Sequence, residues 1–82
     1  MSKKQEIPEW FNGQIYEKGA KVQNRFGGES YELNALELSI YDFIIGASTI
    51  MEMGFTTDVE NLRKGLEWFR KNNAKAYMVL LD

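Results

Sequence analysis

Four carboxylates, Glu29, Glu32, Glu37 and Asp42, crowd the middle of this chain. They come nearest to residues whose type and spacing could do chemistry. Two carboxyls facing each other across a cleft can cleave a glycosidic bond. Convergent oxygens can hold magnesium beside a substrate. The spacing argues for neither. Glu29 and Glu32 flank a turn and point to opposite faces of any strand that contains them. Glu37 stands where a helix cap needs it, and Asp42 falls on the polar side of the same helix. The chain has no histidine and no cysteine, so the commonest general base, the thiol nucleophile, the commonest metal ligand and any thiolate metal site are all absent. The expectation is therefore no catalytic residue, no metal site, no cofactor and no enzyme activity. Gly27 and Gly28 invite a phosphate-loop reading, but such a loop leads straight into a helix N-terminus and usually carries a lysine. Here a strand-like segment intervenes, and the glycines are expected to supply positive φ angles to a tight hairpin.

Charge narrows the partners. The net charge is -2 with a pI near 5.1, which gives no electrostatic case for nucleic acid. Residues 26–62 hold no Lys or Arg but do hold Glu29, Glu32, Glu37, Asp42, Glu52, Asp58 and Glu60. The basic residues gather towards the two ends. An acidic middle can steer a basic partner, although acids at helix starts and bases at helix ends produce the same layout. A charge mimic of nucleic acid needs a larger net charge. Arg63, Lys64, Arg70 and Lys71 could grip phosphate, but Glu60 and Glu67 interrupt them, and a helix-turn-helix reader over residues 38–69 would carry too many acids on its second helix. No apolar stretch approaches a membrane span, the first residues lack the apolar run of a signal peptide, and cytoplasm is the default expectation.

These side chains need elements to carry them. At 82 residues, 44% hydrophobic and 13% aromatic, the chain can build one small domain with a core. Residues 1–6 are polar and are expected to fray. Residues 14–16 read as a short strand, and residues 20–25 and 30–33 as the arms of a hairpin. Asn34, with Glu37 three positions on, opens the strongest helix. Leu36, Ile40, Phe43, Ile44, Ala47, Ile50 and Met51 form its core stripe. Leu38, Tyr41 and Ile45 lie nearly opposite, so the helix is either sandwiched in its own domain or shared with a partner. Gly54 fits the C′ position. A second helix is expected from a Thr57–Glu60 capping box. Its inward face is Val59, Leu62, Leu66 and Phe69, and Gly65 beside that face would admit a close neighbour. Glu60–Lys64, Arg63–Glu67 and Glu67–Lys71 make its outer face a solvated one. Residues 74–81 are open to helix or strand; they show no strand alternation and read as helix, kinked or restarted at Asn72 and Asn73. The fold class is α+β: a hairpin or small antiparallel sheet packed on two or three helices.

Three phrases, N-R-F-G-G-E-S-Y-E-L-N, Y-D-F-I-I-G-A and W-F-R-K-N-N-A-K-A-Y-M-V-L-L-D, resemble a set of short uncharacterised proteins of T4-like marine cyanophages and marine bacteria. The resemblance runs over residues 7–82. It implies a phage protein acting inside an infected bacterial cell, and it transfers no catalytic residue.

The remaining signal is aromatic and apolar surplus. Trp10, Phe11 and Trp68 lie off the core stripes, and tryptophan and tyrosine are enriched at interface hot spots. They also close small cores over helix ends. With Leu38, Tyr41 and Ile45 they are the interface candidates. The expected function is a non-enzymatic interaction or adaptor protein, binding a protein partner or itself as a homo-oligomer. The alternative is a small nucleic-acid-associated regulator using the terminal basic residues.

Overall fold

A computed structural model describes residues 5–24, 27–55 and 59–81. Among them two strands precede the helices. Strand β1 (Ala20–Gln23) pairs antiparallel with β2 (Ser30–Leu33), Ala20 opposite Leu33 and Val22 opposite Tyr31. That register turns Val22, Tyr31 and Leu33 inward and leaves Lys21, Glu32, Gln23 and Ser30 in water, as the two-residue period of a strand requires. The α+β class expected from the sequence is the fold observed.

The hairpin differs in detail from expectation. Neither Gly27 nor Gly28 has a left-handed φ; Gly54 does, at 90°. The loop is too long for a two-residue primed turn. Asn24 closes it instead: its N–H donates to the Glu29 carbonyl at 2.7 Å and its Oδ1 accepts from the Gly27 N–H at 3.0 Å. The Asn24 side-chain amide also donates to the Val79 carbonyl at 2.6 Å, tying the hairpin to the far end of the chain. Strand β1 stops at Gln23, and Arg25, expected to extend that arm, lies outside the described residues. Residues 14–16 form no strand. They lie along the first helix, where the Tyr16 N–H donates to Ser39 Oγ at 2.8 Å.

Helix α1 (Ala35–Glu52) starts with the full capping box. The Glu37 N–H donates to Asn34 Oδ1 at 2.8 Å, and the Asn34 N–H donates to Glu37 Oε1 at 2.9 Å. Helix α2 (Val59–Asn72) packs back on α1. A Cβ on Gly65 would stand 3.0 Å from Ile44 Cγ1, so this glycine does permit the close approach expected of it. The capping threonine expected at Thr57 lies outside the described residues. Asn73 interrupts the helix and caps the next one, accepting from the Ala76 N–H at 3.2 Å. Helix α3 (Ala74–Ala76) then widens into a π-helical turn at Tyr77–Leu81, the helical restart expected there.

Leu33, Ile40, Ile44, Ala47, Leu62, Phe69, Ala76 and Leu80 are buried in one core, with Phe11 and Tyr41. The core stops at Ala47 on α1. Ile50 and Met51, expected to continue the stripe, are exposed, and so is Val59 at the start of α2. The physical reason is reach. An 18-residue helix is about 27 Å long, and β2 and the N-terminal segment meet its earlier turns, the latter at Ser39 and Phe43.

Candidate interaction surface

The end of α1 is closed by backbone hydrogen bonds. The Gly54 N–H donates to the Met51 carbonyl at 3.0 Å and the Phe55 N–H to the Ile50 carbonyl at 3.1 Å. With Gly54 left-handed this is a Schellman motif, which folds the residue after the glycine back towards the last turn. It sets Phe55 beside Ile50. Met53 and Phe55 are 65% and 64% exposed, and Ile50, Met51 and Val59 are also exposed. These apolar side chains form a tip at the α1–α2 connection.

The side chains singled out from the sequence are distributed differently. Phe11 and Tyr41 are buried within the chain and have almost no surface to offer a partner. Leu38 and Ile45 are half-buried against the core. The strip that Tyr41 joins therefore packs largely within the chain. Trp10 is half-buried in an aromatic group with Phe11 and Phe43, at centroid separations of 6.0 and 6.2 Å. Trp68 meets Phe69 edge-on at 5.2 Å. Trp10 and Trp68 share a shallow recess of about 210 Å³ with Lys64, Glu67, Lys71 and Asn72. Sequence reasoning missed Met53 and Phe55, although apolar residues on both sides of a C′ glycine were a usable signal. The Schellman fold-back makes neighbours of them.

A second feature lies at the other end of the exposed side of α1. A cleft of about 610 Å³ is lined by Phe11, Gly13, Gln14, Ile15, Tyr16, Glu17, Ser39, Asp42 and Phe43. The Tyr16 hydroxyl donates to Asp42 Oδ2 at 2.6 Å. That hydrogen bond, with the repulsion an ionised phenol would feel from the carboxylate, raises the Tyr16 pKa above its ordinary value. The pair is exposed, and no nucleophile with a partnering base accompanies it among the described lining residues.

Of the other carboxylates, Glu32 and Glu37 line one open recess of about 460 Å³ with Gly19, Leu33 and Asn34, and Glu29 is not among its lining residues. Glu29 and Glu32 are exposed. Glu37 is 5% exposed and is held structurally: its Oε2 accepts from Gln5 Nε2 at 2.8 Å and from Asn73 Nδ2 at 2.9 Å. The fraying expected for residues 1–6 falls mostly outside the described residues. Gln5 is tied down on both sides, since its Oε1 also accepts from Asn34 Nδ2 at 2.9 Å. Among the described residues no group of three or more Asp and Glu could hold a metal ion. No helix of the described residues is long and apolar enough to cross a membrane. Glu60, Arg63, Lys64, Glu67 and Lys71 lie on the solvated face of α2. No family model, curated protein or solved structure matches the chain.

Proposed function

We propose that this protein is a non-enzymatic interaction module. It docks a protein partner, or a second copy of itself, through the apolar tip at the α1–α2 connection. One observation carries the reading: Met53 and Phe55 stand about two-thirds exposed on a helix end closed by backbone hydrogen bonds. Scattered exposed apolar residues are ordinary, but a group of them on one firm element is a docking surface. The setting we attach is a phage protein in the cytoplasm of an infected bacterium, supported by the sequence resemblance.

The test is a double variant, Met53→Glu with Phe55→Glu. Both side chains are in water, so the fold is expected to survive within about 0.5 kcal/mol. The wild type is expected to brighten a hydrophobic dye, and any mass above monomer that it shows in light scattering is expected to depend on the tip. The variant is expected to lose both properties with its circular dichroism unchanged. Identical mass and dye response in the two proteins would end this reading. The recess holding Trp10 and Trp68 with Lys64 and Lys71 favours the second reading, nucleic-acid association, since stacking faces and cations are what a single strand needs. Glu67 in the same recess opposes it, and only binding that collapses with salt would support it.

A further inference from the structure

Gly46 has no use within the fold. It sits inside α1, where glycine weakens a helix, and a Cβ built on it meets nothing within 4 Å. Other glycines here have local reasons: Gly65 admits Ile44, Gly19 lies against the Leu33 carbonyl, and Gly54 is left-handed. The surroundings of Gly46 supply a reason. At about 100° per residue, Asp42, Phe43, Gly46, Thr49, Ile50 and Met53 fall along one strip of α1, about 16 Å long. Phe43 is half-buried, and the other five are exposed. The strip begins at the cleft holding Tyr16, Glu17 and Asp42 and ends at the apolar tip. A gap with no Cβ lies midway, with apolar contacts beyond it and carboxylates before it. That is the footprint of a crossing helix.

We infer that this strip receives an amphipathic, basic helix of a partner protein. Its backbone crosses at Gly46, its apolar face lies on Ile50 and Met53, and one lysine or arginine enters the cleft against Asp42 and Glu17. Charge selects this occupant. Residues 26–62 contribute no cation to the strip, and the charged groups lining the cleft are Glu17 and Asp42. A second copy laid strip to strip would bring no cation from residues 26–62 to Asp42 and Glu17 and would leave them without a counter-charge. The cleft is large enough for a long cationic side chain, and the Phe11, Tyr16 and Phe43 rings that line it suit a cation's alkyl stem.

This inference rests on the interaction reading, and its test separates the two. The full chain, labelled with nitrogen-15, is titrated at low salt with a synthetic amphipathic helix of leucine and lysine. Its leucine–glutamate counterpart is titrated in parallel. The lysine peptide is expected to shift the amides of residues 14–17 and 42–53, and the glutamate peptide to leave them unmoved. Gly46→Leu is expected to bind the lysine peptide about tenfold more weakly while the thermal midpoint rises by a few degrees, because leucine favours the helix and its side chain enters open space. Asp42→Asn, which alters no packing, is expected to weaken binding and flatten its salt dependence. Shifts confined to Met51, Phe55 and Val59 would overturn this inference while sparing the interaction reading. Equal binding of both peptides would overturn the charge argument. Strip shifts that grow with protein concentration alone would assign the strip to a second copy and overturn it too. Silence at both strip and tip would count against both readings.

Discussion

The two ends of α1 solve the same problem by opposite means. Every helix leaves unpaired N–H groups at its start and unpaired carbonyls at its end. At the start, side chains do the closing. Asn34 and Glu37 cap each other, and the second Glu37 oxygen gathers Gln5 and Asn73 from distant parts of the chain. At the end, backbone does the closing through Gly54, and the side chains of Met51, Met53 and Phe55 stand exposed. An end closed by side chains is bound into the fold and has little freedom to act elsewhere. An end closed by backbone leaves its side chains available, and here they are apolar and in water. The difference separates the part of the molecule that stabilises the domain from the part that can meet a partner.

Substitutions can break or sharpen this contrast. The largest effect is expected at Gly19, beside the start of α1. A Cβ there would fall 1.9 Å from the Leu33 carbonyl oxygen and 2.7 Å from Asn34 Cα. Backbone cannot give way as a side chain can, so Gly19→Ala should cost about 3 kcal/mol, read as a lowered urea midpoint. Glu37→Ala should cost about 2–3 kcal/mol, because it removes the cap and leaves Gln5 and Asn73 without their shared acceptor. Native-state hydrogen exchange should then show the first turn of α1 and the Asn73 restart opening together; exchange unchanged at Asn73 would mean the carboxylate is only a local cap. At the other end the costs shrink. Gly54→Ala should cost about 1 kcal/mol, the strain of a left-handed alanine, seen as a modest drop in thermal midpoint. The smallest stability change belongs to the tip variant Met53→Glu with Phe55→Glu, although its effect on association is expected to be the greatest. If the tip variant lowered stability as much as Glu37→Ala, the division between a structural end and an interacting end would be wrong.

Much of this could be read from the residues. The Asn34–Glu37 spacing announced the cap, Gly54 the helix end, Gly65 the close contact, and Asn73 the restart, because each depends on local backbone geometry. What failed had a common cause. Ile50, Met51 and Val59 follow the periodicity of buried faces yet stand in water, and Tyr41 lies off that stripe yet is buried. Periodicity gives the direction of a face, but burial depends on whether another element reaches it. The strand expected at residues 14–16 failed for a related reason. Its backbone found a partner in Ser39 Oγ rather than in a neighbouring strand.

By itself the sequence determined the class of fold, the element order from the hairpin onward, the two ends of α1 at Asn34 and Gly54, and the absence of histidine and cysteine chemistry. All of these depend on residue identity and on partners a few positions away. The tertiary structure alone decided how far the core extends along α1. It also decided that Glu37 would join three distant segments and that Phe55 and Met53 would be left uncovered beyond an open Gly46. Those outcomes depend on the lengths of elements far apart in the chain and on where each happens to end in space. No local spacing encodes that.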